Sequence, residues 1–262
     1  MGHRSSAEVL AIDLAARGIH EADLHYLLPT HVHLDHCGSC GTLAKLYPNA
    51  SIRVHPRGLP HLSDPSKLVS GATELFGQEQ MKEFGLPEPV DPKRVQGISD
   101  EDEIALGNGL TLRAIWTPGH APHHVSYLLE DGGTIFTGDA VGVQYPAFPV
   151  LIPTTPPPSF NFAKAVDSIE RLRALSPRIL CTPHFGVVEN AADRLARDLH
   201  ALLDWKDRIE TLASRASSLT EILEVITNEI CKRADQPRAK LPEYFRTTIR
   251  LSTQGLLASI NR

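Results

Sequence analysis

Apolar residues recur along this chain with two different periods, and the change from one to the other predicts a mixed α/β domain followed by helices alone. Ala7, Leu10, Ala11, Leu14 and Ala15 fall on one helical face, with Ser5 and Glu8 spaced as a capping box at its start and Gly18 at its end. Residues 24–28 read as a short buried strand, and strand-like runs recur at 51–54, 110–115, 125–129, 134–136 and 178–181. Asp131-Gly132-Gly133 supplies the turn between two of these runs. Between them, Phe162, Ala165, Val166, Ile169 and Leu172 keep the helical period. The proline- and aromatic-rich stretch 145–160 suits neither a helix nor a central strand, so an ordered loop is expected there.

From about Asn190 the period is helical only. Leu195, Leu199 and Leu202 form one stripe; Leu219, Ile222, Leu223, Ile226 and Ile230 form a second. Pro237 and Pro242 then set off a final helix containing Phe245, Ile249 and Ile260. The reading is therefore an α/β domain over residues 1–188 and a helical C-terminal region over 189–262.

Composition narrows the function. With 26 basic residues against 31 acidic ones, the net charge of -5 draws the chain neither to nucleic acid nor to an anionic membrane. The modest basic run Lys232, Arg233, Arg238, Lys240 and Arg246 reads as a solvated face. No stretch approaches a membrane-spanning length. Cys37, Cys40, Cys181 and Cys231, without an apolar leader, point to free thiols in a reducing cytoplasm. The pair Cys37-Gly-Ser-Cys40 is read as two small residues at a helix start, mildly acidified by its N-terminus. Thirteen histidines are many for 262 residues, and several crowd into three short segments.

Those segments carry the chemistry. In Thr30-His31-Val32-His33-Leu34-Asp35-His36, an extended backbone turns the imidazoles of His31 and His33 to the same side. Asp35 and His36 follow where the chain bends into a helix, which aims them at a second position. His120, Asp139 and His184 each follow a strand-like run, where open α/β sheets gather functional groups. Imidazole and carboxylate donors without thiolate suit Zn, Fe or Mn. Two such cations about 3.5–4 Å apart can share a hydroxide, because coordination lowers the pKa of water to about 7. That hydroxide is the expected nucleophile, and Asp35 is the residue expected to orient it or take its proton.

The ordered set His31-Val-His33-Leu-Asp35-His36, His120, Asp139 and His184 resembles the metallo-β-lactamase superfamily. The phrases TPGHAPHH and FTGDA are similar to its glyoxalase II and lactonase-like hydrolases. The resemblance implies an αββα sandwich carrying two divalent metal ions, Zn first among the candidates. By position it assigns His31, His33 and His120 to one ion and Asp35, His36 and His184 to the other. Asp139 would bridge them. It implies hydrolysis of a small ester, thioester or lactone. Apart from the resemblance, Tyr145 and Phe148 in the proline-rich stretch and His124 just beyond His120 are read as residues that touch the substrate. Superfamily members carry several strands before the first helix, whereas residues 1–4 alone precede the capping box here. The start of the first sheet is therefore expected to be missing, and an open strand edge invites homo-oligomers. Two alternatives stand beside hydrolysis: a mononuclear iron persulfide dioxygenase, and a truncated, non-catalytic binding protein.

Overall fold

Two sheets organise the structure, a computed structural model that describes residues 1–146, 148–184, 186–215 and 218–260. Each sheet lies in its own unit, Met1–Asp102 or Glu103–Arg262. In the first unit, β1 (Tyr26–Leu27), β2 (Ser51–Val54) and β3 (Val95–Gly97) run parallel in the order β1-β2-β3. Around them lie α1 (Ala7–Ala16), α2 (Leu34–Cys37), α3 (Cys40–Leu46), α4 (Leu59–Ser63), α5 (Ser66–Phe76) and α6 (Gln78–Phe84). Ile52 and Val54 alternate inward from β2 and pack with Val32, Leu43 and Tyr47. Burying each such aliphatic side chain stabilises the fold by roughly 1.5–3 kcal/mol.

The predicted first helix forms, but its capping box does not. A 3-10 turn, Arg4–Ser6, precedes α1, the cap falls on Ser6, and its side chain makes no capping bond. Glu8 instead accepts from Arg4 Nη1 at 2.7 Å, so the guanidinium one turn back takes the carboxylate that the box required.

The second unit holds six strands in the order β11-β10-β7-β6-β5-β4. They are β4 (Glu103–Gly107), β5 (Leu110–Trp116), β6 (Val125–Leu129), β7 (Thr134–Phe136), β10 (Ile179–Thr182) and β11 (Gly186–Val188). All neighbours are antiparallel except β10 and β7, which pair in parallel because α7 (Phe162–Ala174) intervenes in the connection. Strand β6 is buried at four successive positions, as a central strand covered on both faces must be. The proline-rich stretch departs from expectation: Val143–Tyr145 (β8) and Phe148–Ile152 (β9) form a two-stranded ribbon. Each strand of such a ribbon has an outer edge that needs no ladder partner, and there a proline is tolerated.

Helices α8 (Ala191–Ala213), α9 (Leu219–Ala234) and α10 (Glu243–Ile260) follow as the periodicity predicts. Leu195, Ile226 and Phe245, one from each, share a single core with Ile135 and Leu180 of the second sheet. Among the described residues no helix is long and apolar enough to cross a membrane.

Candidate metal centre

The first unit gathers its ligand-type residues by alternation and then by a turn. His31 and His33 flank Val32, which is fully buried in the core, so both rings leave the backbone on the opposite side. His31 Nε2 stands 3.1 Å from His33 Nδ1. His33 then caps α2 with extended dihedrals, and one helical turn brings the ring of His36 back over His31, with centroids 4.1 Å apart. His36 Nε2 lies 3.3 Å from Asp35 Oδ2. Asp35 is the most exposed of the four, and His31 and His36 are buried. The predicted same-side arrangement of His31 and His33 is seen, and the turn into α2 returns the His36 ring to His31.

The second unit brings together His120, Asp139 and His184. Gly119, with φ +143°, sets the direction of His120; a Cβ at that position would stand 2.5 Å from Ala165 Cα. His120 Nδ1 lies 2.9 Å from the carbonyl oxygen of Thr154. A carbonyl only accepts, so the proton sits on Nδ1 and the lone pair of Nε2 is left for another partner. That Nε2 is 3.5 Å from Asp139 Oδ2, while Asp139 Oδ1 is 3.5 Å from His184 Nε2. One carboxylate thus shows a different oxygen to each histidine.

Asp139 is held closely. Its backbone lies in the sparsely allowed bridge region, at φ −90° and ψ 20°. Its N–H donates to His124 Nε2 at 2.9 Å, and its carbonyl accepts from Thr154 Oγ1 at 2.7 Å. His184, half-buried, sits in the turn between β10 and β11.

Within each unit the donor spacing fits coordination. Two donor atoms bound 2.0–2.1 Å from one tetrahedral ion stand about 3.4 Å apart. The four contacts within the two sets, at 3.1, 3.3, 3.5 and 3.5 Å, lie close to that edge. Histidine with carboxylate, and no thiol among the contacts, is a donor set for a divalent transition metal.

Three residues expected to touch substrate are placed otherwise. Tyr145 and Phe148 are buried against Phe245 of α10, with the Tyr145 hydroxyl 2.7 Å from Thr248 Oγ1, so packing of the ribbon against the last helix uses both. His124 is fully buried, and its two nitrogens meet Thr117 and the Asp139 backbone. Nor is Cys37-Gly-Ser-Cys40 acidified: burial pushes Cys37 well up and Cys40 up to about 12, outweighing any helix-terminal field. The residues that sequence reasoning missed are Thr117, Ser126 and Thr154, hydroxyls whose spacing along the chain carries no signal.

Known proteins are similar to this chain in sequence and fold. The Metallo-beta-lactamase superfamily model matches residues 2–184. A metallo-beta-lactamase fold-containing protein of Sulfurisphaera tokodaii is 33% identical over 168 residues, 63% of this chain and 62% of that protein. This chain therefore spans less than two thirds of that relative's length. The crystal structure of an archaeal superfamily protein from Sulfolobus tokodaii matches with a TM-score of 0.66 at 26% identity, over 89% of this chain and 80% of that one. An N-acyl homoserine lactonase of Azorhizobium caulinodans is 29% identical over 62% of this chain and 57% of its own length. An atrochrysone carboxyl ACP thioesterase of Aspergillus fumigatus is 26% identical over 79% of this chain and 51% of its own length. With its mixed α/β fold and helical C-terminal region, this chain belongs to the metallo-beta-lactamase superfamily.

Proposed function

We propose that this chain is a metal-dependent hydrolase of a small ester, thioester or lactone. In this reading His31, His33 and His120 hold one divalent ion, Asp35, His36 and His184 hold a second, and Asp139 serves both. Zinc is the proposed metal. The observation that carries the reading is the Asp139 carboxylate, whose two oxygens lie 3.5 Å from His120 and 3.5 Å from His184. A carboxylate with a different oxygen turned to each histidine would suit a residue shared by two ions.

Cations held there would supply Lewis acidity and would lower the pKa of coordinated water to about 7. The protein's own part is orientation and proton handling. Thr154 fixes the His120 tautomer and grips the Asp139 carbonyl, so both ligands keep their direction before any substrate arrives. In this reading Asp35 takes up a proton and releases it to solvent, which its position beside His36 and its 41% side-chain exposure support. The lactonase and the thioesterase among the relatives support hydrolysis of an acyl ester or thioester bond. The net charge of -5 speaks against nucleic acid.

The test is metal quantitation on protein purified without added metal, followed by lactone, thioester and phosphodiester substrates on the same sample. Two zinc or manganese ions per chain with lactone or thioester turnover support the proposal. One iron per chain with oxygen consumption assigns oxidation instead, and a metal-free, inert chain overturns both. The Asp35→Asn variant should lose roughly 10²–10⁴-fold in turnover while its circular dichroism is unchanged.

A further inference from the structure

The loop from Thr117 to His124 carries a buried chain of hydrogen bonds in which every proton can be assigned. The backbone amide of Asp139 can only donate, and it lies 2.9 Å from His124 Nε2, so that nitrogen bears the lone pair and the ring proton sits on Nδ1. Nδ1 is 2.8 Å from Thr117 Oγ1, which must therefore accept. The Thr117 hydroxyl proton then turns to Ser126 Oγ at 2.9 Å, and the Ser126 hydroxyl donates to the Thr137 carbonyl at 2.8 Å. His124, Thr117, Ser126 and Thr137 are all completely buried.

This chain begins on the N–H of Asp139 and ends on the carbonyl of Thr137, two groups on opposite sides of Gly138. It spans the turn that presents the Asp139 carboxylate. We infer that His124, relayed through Thr117 and Ser126, is a positioning residue that sets the direction of Asp139; the inference rests on the proposed metal-bridging role of Asp139. The relay works only with the Nδ1–H tautomer, and only while Thr117 offers an acceptor. Removing the Thr117 hydroxyl leaves the buried Nδ1–H without that acceptor, which favours the other tautomer and a clash of donors at the Asp139 amide.

Two measurements test it. In the metal-free protein, the ring-nitrogen resonances of His124 should report a neutral imidazole protonated at Nδ1; protonation at Nε2 overturns the inference without reference to metal. Zinc affinity is then read by chelator competition on wild-type, Thr117→Val, Thr117→Ser, His124→Leu and His124→Gln chains, alongside the unfolding midpoint of each metal-free chain. Thr117→Val and His124→Leu should bind zinc roughly 10–100-fold more weakly. Thr117→Ser and His124→Gln, which keep the acceptors, should recover most of that loss at similar metal-free stability. Unchanged affinity in Thr117→Val overturns the inference, and so does a loss that tracks falling stability across the set. Should that variant fail to fold, Ser126→Ala, one link further from the metal, is read the same way. A wild-type chain that takes up no zinc defeats the proposed function itself, an outcome distinct from those above.

Discussion

Arg194 and Asp198, one turn apart on α8, form a buried ion pair of 2.9 Å that holds both backbone polar groups of one residue. Gly142 donates its N–H to Asp198 Oδ1 at 2.8 Å, and its carbonyl accepts from Arg194 Nη2 at 2.6 Å. The gripped residue lies three positions beyond Asp139, and a Cβ there would stand 2.8 Å from the Ile152 carbonyl. Burial pushes the Asp198 carboxyl up to about 6 although Arg194 pulls it down, so desolvation outweighs the attraction within the pair. Asp198→Ala would strand the guanidinium inside the protein and should cost about 3–5 kcal/mol. The double variant Asp198→Leu with Arg194→Met should regain most of that. Urea unfolding of the metal-free chains measures both, and a double variant no more stable than Asp198→Ala alone would contradict this account.

Gly119 and Gly71 make a matched pair of alanine substitutions with opposite signs. At Gly119 the backbone is left-handed, and a new Cβ would meet Ala165 Cα, N and Cβ at 2.5, 2.6 and 2.7 Å. Either α7 moves away or His120 turns, and overpacking of that kind costs about 1–3 kcal/mol. Gly119→Ala should therefore lower both stability and metal uptake. Gly71 lies inside α5 with nothing within 4 Å of its Cβ position, so Gly71→Ala should gain up to about 1 kcal/mol. Thermal unfolding of the two variants side by side decides the matter, and equal midpoints would remove the argument.

Much of this was legible before any coordinates. Strand β2 and helix α7 follow from alternation and helical period, because each buries a defined face, whereas β6, buried on both faces, shows as a short apolar run. The ligand loop was legible for a different reason: His31, His33, Asp35 and His36 stand closer together than packing needs. The helices α4, α5 and α6 left little trace, being short and interrupted, with Gly77 between the last two. The ribbon β8–β9 was hidden by its prolines. Tyr145 and Phe148 looked like pocket aromatics until α10 supplied the surface they pack on. Hydroxyls such as Thr117, Ser126 and Thr154 gain meaning only from partners remote in sequence; Thr154 meets His120 across 34 positions.

His55 makes the first unit sensitive to mild acid. It caps the turn before α4, where its Nδ1 accepts from the Arg57 N–H at 3.1 Å, a bond that requires the unprotonated nitrogen. Burial lowers its pKa below 6.5, and the Arg57 charge lowers it further against the opposing pull of Asp100. As pH falls through 6.5 the unfolded chain takes up a proton that the folded chain refuses. Stability from this group is thus present above 6.5 and is lost below it, until the folded pKa is passed. His55→Asn keeps a capping oxygen without the titration, so its stability should fall less between pH 7 and pH 5.5, a window set by the ordinary histidine pKa of about 6.5. Other histidines contribute equally to both chains, and the difference isolates this one. Parallel curves for the two proteins would rule the mechanism out.

The four cysteines are free, and burial ranks their reactivity. Cys37 closes α2 and Cys40 opens α3, both packed in the core with Val32 and Leu43. Burial drives the Cys40 thiol up to about 12 and Cys37 well above the ordinary range. Cys181 on β10 is half-buried and its pKa is raised by the same cause. Only the thiolate attacks an alkylating reagent, and at pH 8 a thiol of pKa 12 carries about a thousandth of the thiolate of an ordinary cysteine. Iodoacetamide should therefore label the native protein first at Cys181, leave Cys37 and Cys40 unmodified over the same interval, and reach all four after unfolding. The same burial removes any redox role for Cys37 and Cys40, since exchange requires an accessible thiolate. Mass spectrometry of peptides taken at successive times reads the order directly, and native-state labelling of Cys40 at the rate of Cys181 would show that the core around α2 and α3 opens to solvent.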